Sequence, residues 1–502
     1  YNAARCCPTR AALLTGLYPH QAGVGHMLQP WHPPSYSNGL GANTATIAEL
    51  LRDAGYRTYH VGKWHVGGVG GGAKAKADTR NHPMNRGFDH AYGSGGGGNY
   101  FALQPLYQDR EPIKPGENFY ATDAFTDHAV KFLEAHGREQ KDKPFFLHLC
   151  YTAPHFPLHA KPADIAKYRG KFTHGWDVER ERRFAKQKEL GLFPRDARLS
   201  PRDPEARAWK DLSATERADW DLRMAVYAGM IDCLDQGIGR VLDAVKKSGA
   251  EQNTLVLFLS DNGASAEFLD SWPNPSRGHK PGSEAGTRES HKCLEVGWAN
   301  AANTPFREHK MWDHEGGIST PLIASWPAGQ VGRAVPSAPP NALGGVRTPR
   351  PTSSGTLCDE PGHIIDLLPT FLELAGAKYP EHFKERALTP LPGKSLLPIL
   401  QGKSLGERTL AWEHEGNRAV RVGDWKLVAT FRGPWELYDL SRDRAELKNL
   451  AAQQPAKVKE LAAAWQAWAD KAGVVPWEQL PGASYQPSAS YQKKGEAVPA
   501  AK

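Results

Sequence analysis

Apolar residues in this chain come in two textures that alternate. Short unbroken runs have the character of buried strands, and longer stretches repeat their apolar positions every three or four residues, as one-sided helices do. YRTYHV at 56–61, KPFFLHLCY at 143–151, TLVLFLS at 254–260 and TPLIASW at 320–326 read as strands. TIAELLRDAG at 46–55 reads as a helix that opens on a Thr46/Glu49 capping box and stops at Gly55. TDAFTDHAVKFLEAHG at 122–137 is a second helix. A long third one runs from about 218 to 247, with Met224, Tyr227, Met230, Ile231 and Leu234 at core spacing. HIIDLLPTFLELAG at 363–376 is helical and contains Pro369, while 160–215 is charged and helical without a clear site.

This alternation predicts an α/β fold: a large mixed, mostly parallel sheet flanked by helices. Between 327 and 362 the composition turns to Pro, Gly and Ser, a surface insertion or linker. From about 405, TLAWEHE, AVRVGDWKLVAT and WELYDL read as short antiparallel strands ahead of a helix at about 456–470. The expected organisation is an α/β domain over 1–400, a smaller antiparallel-sheet-plus-helix subdomain over 401–485, and a disordered tail over 486–502.

Composition narrows the function classes. With 502 residues, 40% apolar content and 15 Trp, 16 Tyr and 17 Phe, the chain has the means for a sizeable core. No apolar run approaches the roughly 18 residues that span a bilayer. The net charge of +7 is spread among acids, which argues against a nucleic-acid-binding stripe and does not repel an anionic substrate. Six cysteines are too few for a disulfide scaffold, and those at 150, 233, 293 and 358 lack zinc-site spacing.

The chemistry gathers where strands and one helix end. Cys6 and Cys7 stand just ahead of Pro8, Ala11, Ala12, Leu13 and Leu14, a short helix that Gly16 stops. Neighbouring cysteines make a strained disulfide, so the pair reads instead as residues at a helix N-terminus, where amide donors favour an anion and Arg10 can reach back. A buried cysteine pair beneath an ordinary cap is the plainer reading. The strand at 56–61 runs into Lys63, Trp64 and His65, the next ends near His155, and the third ends at Asp261 and Asn262. Ligands of open α/β sheets bind beyond such carboxyl ends. The glycine-rich loops at 67–72 and 93–98 lack the Ser/Thr of a phosphate-binding loop and read as flexible surface.

These residues carry a family resemblance. Cys6-x-Pro8-Thr9-Arg10 followed by Leu14-Thr15-Gly16 resembles the signature of the formylglycine-dependent type I sulfatases, of the alkaline phosphatase-like superfamily, and GYRTYHVGKWHVG at 55–67 resembles their second signature. TAPHFPL, LSDNGA, TPFREHKMWDHEGGISTPLI, DLLPTFLELAG and GDWKLV…ELYDL extend the likeness over nearly the whole chain. It implies a sulfuric ester hydrolase in which Cys6, the cysteine spaced correctly from Pro8 and Arg10, is oxidised to formylglycine by a formylglycine-generating or radical maturation enzyme. The hydrated aldehyde is then the nucleophile. By the same resemblance Asp261, Asn262 and an oxygen at Cys6 bind Ca²⁺, and Asp261 assists nucleophile activation. Arg10 and Lys63 stabilise the hydrated aldehyde, and His65 deprotonates its remaining hydroxyl so that sulfate is expelled. His155 and Lys310 bind the sulfate and protonate the leaving oxygen.

The resemblance also implies a secreted or periplasmic address and an Asp-Asp metal pair on a strand upstream of the cysteine motif. The chain starts inside that motif, so an N-terminal truncation and weak metal binding are expected. A phosphonate monoester or phosphodiester hydrolase on the same fold, and a non-catalytic sulfated-glycan-binding relative, are the rival readings. Specificity for aryl or carbohydrate esters is expected from the loops at 68–100 and 266–302.

Overall fold

The first helix ends where the sequence places its stop. Helix α1 spans Cys6–Thr15, and Gly16 turns left-handed at φ 67° while its N–H returns to the Ala12 carbonyl. The computed structural model describes residues 1–28, 31, 33–69, 79–269, 278–329, 350–352 and 355–481. The tail at 486–502, and parts of the 67–72 loop, the 266–302 loop and the 327–362 insertion, lie outside the described residues. Helix α2 (Ile47–Asp53) forms the expected capping box: the Thr46 hydroxyl accepts from Glu49 N–H, and the Glu49 carboxylate accepts from Thr46 N–H.

Strand β1 (Arg57–Lys63) lies at the heart of a five-stranded sheet of order β4-β3-β2-β1-β5. Strands β2 (His90–Ser94) and β5 (Phe145–Cys150) flank it in parallel. Strands β3 (Leu106–Gln108) and β4 (Glu111–Ile113) add antiparallel pairs at the far edge, so the sheet is mixed, with its parallel pairs at β1. Register sets Gly62 beside Cys150 and Lys63 beside Ser94, which brings the carboxyl ends of β1, β2 and β5 level. Gly62 and Gly93 permit this close approach: a Cβ on either would collide with the carbonyl of the neighbouring strand.

Alternation along the strands divides the molecule into layers. Tyr59 and Val61 of β1, with Phe145, Leu147 and Leu149 of β5, face helix α3 (Ala121–Glu139) through Phe125, Phe132 and Leu133. Helices α4 (Pro162–Ala166), α5 (Gly175–Glu189), α6 (Ala214–Lys247) and α7 (Glu295–Ala302) extend this layer. The long helix α6 starts four residues ahead of its expected start, on a Ser213/Glu216 capping box. Phe146 of β5 points the other way, toward α1, α2 and a later helix, α9 (Leu367–Leu374).

The strands expected at 254–260 and 320–326 form, as β6 (Val256–Leu259) and β7 (Leu322–Ser325), but they pair with each other, antiparallel, as a separate two-stranded ladder. Phe258, Leu322 and Ile323 remain 47%, 42% and 60% exposed, and this ladder shares no strand pairing with β5. Both β5 and the β6–β7 ladder line a groove of about 2100 Å³.

Between them in sequence lies the one-turn helix α8 (Glu315–Ile318). The β8–β9 hairpin (Arg350–Thr352, Gly355–Leu357), α9 (Leu367–Leu374), the β10–β11 hairpin (His382–Phe383, Arg386–Ala387) and α10 (Leu397–Leu400) follow. Strands β12 (Thr409–His414), β13 (Asn417–Val422), β14 (Trp425–Ala429) and β15 (Glu436–Asp439) form a four-stranded antiparallel meander. Helix α11 (Pro455–Ala472) covers one face with Leu461, Trp465 and Ala469. The other face packs Leu410, Trp412 and Val428 on Ala4 and Ile318, two residues from Cys6. Among the described residues no helix is long and apolar enough to cross a membrane.

Candidate active site

Cys6 is the first residue of α1, buried at the end of the helix where N–H groups lack intrahelical partners. His65 reaches it from just beyond β1, its Nδ1 3.4 Å from Cys6 Sγ. His65 holds a left-handed φ of 59°, unusual for a histidine and the kind of local strain that gathers at functional sites. Lys63, the last residue of β1, is buried, and no ion pair engages it among the described residues.

The electrostatics favour an anion at position 6. A hydrogen bond from Cys7, then the charges of Lys63 and His65, outweigh burial and hold the Cys6 thiol well below its ordinary value. Burial pushes Cys7 in the opposite direction. Burial and the charge of Lys63 lower His65, leaving it a neutral imidazole with a lone pair at neutral pH.

Arg10, one turn along α1, ties the ends of β1 and β6 together. Its Nη1 donates to the Lys63 carbonyl at 2.7 Å, and its Nε and Nη2 donate to Asp261 Oδ2 at 3.1 and 2.8 Å. Asp261 and Asn262 follow β6 directly. Gly263 anchors that turn, donating to the Gly317 carbonyl, and a Cβ there would collide with Gly316. Asn262 Nδ2 is satisfied by the Gly263 carbonyl, while its Oδ1 is buried with no partner. Both Arg10 bonds end on Oδ2 of Asp261. A buried, unsatisfied amide oxygen beside a carboxylate is a donor set suited to a hard divalent cation, so these residues fit the Ca²⁺ that the family resemblance implies.

His155 and Lys310 complete the ring of polar groups. Both line the groove that also reaches Arg10, Lys63, Asp261 and Asn262. His155 Nδ1 lies 2.6 Å from the Phe156 carbonyl, which fixes it as the N–H donor and leaves Nε2 as the acceptor. Burial first, then Lys63 and Lys310, bring His155 down to about 3, so the free chain carries it neutral. Lys310 sits 5.2 Å from the Phe156 ring centroid, and its backbone N–H donates to the Ala264 carbonyl, tying it to the Asp261 loop.

Two residues at this site have no counterpart in the sequence reading. Glu267 accepts from Lys310 Nζ at 2.8 and 3.2 Å, both side chains buried. Burial alone would raise the Glu267 carboxyl, yet Lys310 and Arg5 bring it down to about 2. Arg5, adjacent to Cys6, spans Glu267 at 3.6 Å and Glu415 at 2.8 Å. Neither residue belongs to a motif, and a Glu in the loop ASAEF carries no mark separating it from a solvated acid.

An α/β sheet that gathers Cys6, the cations of Arg10, Lys63 and Lys310, and the oxygens of Asp261 and Asn262 beyond its strand ends is suited to an anionic ester. Comparison with known proteins makes the class specific. Residues 1–377 match the family model for Sulfatase, and residues 345–470 match that for the C-terminal region of N-sulphoglucosamine sulphohydrolase. An uncharacterized sulfatase of Schizosaccharomyces pombe is 34% identical, over 95% of this chain and 87% of that protein. An arylsulfatase of Klebsiella aerogenes is 29% identical, over 81% of this chain and 85% of that protein. Among solved structures, Ps i-CgsB in complex with k-i-k-neocarrahexaose superposes with a TM-score of 0.61 at 25% identity, covering 93% of this chain and 83% of that one. The chain belongs to the sulfatase family and is an enzyme of sulfate-ester hydrolysis.

Proposed function

We propose that the protein hydrolyses sulfate monoesters of aryl alcohols or carbohydrates through a formylglycine made from Cys6, with Ca²⁺ held by Asp261 and Asn262. The observation that carries this reading is the field at position 6: a helix N-terminus, a buried Lys63 and a neutral His65 3.4 Å away. Hydrated formylglycine supplies two hydroxyls on one carbon, and Ca²⁺ supplies a Lewis acid for the sulfate oxygens.

The chain's own residues do the rest. Lys63, which helps to favour a thiolate at Cys6, favours any oxyanion developing there, and Arg10 adds a second cation while orienting Asp261. His65, neutral at working pH, accepts a proton from the group at position 6. Lys310, held in place by Glu267, gives a proton to the leaving oxygen. His155 offers Nε2 toward the groove, becoming a donor only when an anion beside it favours its protonated form.

The substrate class follows the relatives: one is named an arylsulfatase, and one solved neighbour holds k-i-k-neocarrahexaose. A secreted or periplasmic address and a formylglycine-generating or radical maturation enzyme as partner belong to the same reading, as does the division of the chain near residue 400. The test is turnover of an aryl sulfate against an aryl phosphonate monoester by chain co-expressed with a maturation enzyme. Faster sulfate release supports the proposal, and a preference for the phosphonate overturns it.

A further inference from the structure

We propose that His26, His414 and Glu415 form a second metal site, separate from the Asp261–Asn262 corner, that takes one Zn²⁺ ion. His414 ends β12, Glu415 occupies the turn to β13, and His26 comes from the loop after α1. All three side chains are buried, and their ligand atoms lie within 4.8 Å of one another. His26 Nδ1 and His414 Nε2 each lie 3.5 Å from Glu415 Oε1.

That spacing is the first argument. A hydrogen bond would draw each nitrogen to about 2.7–3.2 Å from the oxygen. Tetrahedral zinc with bonds of about 2.0–2.1 Å sets its donors about 3.3–3.4 Å apart. The observed separations match the second geometry. The second argument is lack of satisfaction: His26 Nδ1, both ring nitrogens of His414 and Glu415 Oε2 are buried without a hydrogen-bond partner. Four such atoms in one cluster are costly unless something fills the space between them.

Preorganisation is the third. The His26 ring stacks on Trp31 at 5.0 Å and meets Trp477 edge-on at 4.9 Å, which fixes its plane. Glu415 adopts a left-handed φ of 55° in a two-residue hairpin turn, where a glutamate is ordinarily exposed, yet it is 1% exposed. Two imidazoles and one carboxylate are the donor set of zinc, not of Ca²⁺.

Arg5 is the group that would oppose a cation, and its bonding allows for one. It donates to Oε1 of Glu415 through Nη1, and its Nη2 lies 3.6 Å from Glu267, whose carboxylate offsets its charge.

The test uses the full chain, stripped with a chelator, loaded with Zn²⁺ and desalted, with metal content measured by mass spectrometry. The wild type is expected to retain one more Zn²⁺ per chain than His414→Gln or His26→Gln, each checked for folding by circular dichroism. A Zn²⁺-soaked wild-type crystal, read by anomalous scattering at the zinc edge, keeps the proposal testable if the variants fold poorly. A peak between His26 and His414 supports the site. Equal zinc content in folded variants, or an anomalous map without that peak, overturns it.

Discussion

Replacing Glu267 with glutamine removes the one carboxylate that grips Lys310 among the described residues. Glu267 is buried against Lys310 at 2.8 Å with Arg5 3.6 Å away, and its carboxyl is lowered from 4.5 to about 2. That difference corresponds to about 3 kcal/mol of preference for the charged form at neutral pH. Because the folded value is depressed, this stability is present above pH 4.5 and is lost as pH falls through about 2. Glutamine mimics the protonated acid, so Glu267→Gln is expected to unfold about 3 kcal/mol more easily at pH 7. The gap should shrink by about 2 kcal/mol at pH 3. Urea unfolding followed by circular dichroism at the two pH values reads both numbers. Activity gives a second readout: without the carboxylate, Lys310 is no longer held in place, so kcat/KM for an aryl sulfate falls. Equal stability at pH 7, or a gap that does not close on acidification, would refute the reasoning.

Further outcomes follow from the same geometry. His65→Ala should leave substrate binding near wild type and cut kcat by about 10²-fold or more, checked by steady-state kinetics with an aryl sulfate. Asn262→Ala should weaken Ca²⁺ binding in calorimetry, and chelation with EGTA should abolish a turnover that added Ca²⁺ restores. Lys426 is fully buried between Glu315 at 2.9 Å and Glu446 at 2.8 Å. Lys426→Ala should therefore cost about 3–5 kcal/mol in denaturant unfolding, as it strands two carboxylates. Thr46→Ala, which deletes half of a capping box, should cost only about 1 kcal/mol in the same assay.

What the sequence made legible was whatever depends on short covalent spacing. The Thr46/Glu49 box, the Gly16 stop and the strand at 56–61 are local, and the structure forms each of them. Cys6 and Arg10 are one helical turn apart, so their shared face was fixed by the chain itself. Long-range pairing was harder to read. An apolar run such as VLFL says that a strand forms but not which edge it joins, so the β6–β7 ladder came out antiparallel and apart from β5. The three-residue strands β3 and β4, just past the glycine-rich loop at 93–98, were too short for any period to register. At the site, strand ends announced Lys63, His65, His155 and Asp261. Arg5 and Glu267 were silent, because a buried ion pair is made by two loops meeting and leaves no periodic trace.

The most direct measurement couples chemistry at position 6 to turnover. Chain preparations with different extents of maturation would be digested and the tryptic peptide carrying position 6 weighed, while the same samples are assayed with an aryl sulfate. Activity in proportion to the aldehyde fraction is expected, and none in Cys6→Ala. Sulfate release by Cys6→Ala, or by chain whose position 6 is entirely thiol, would contradict it.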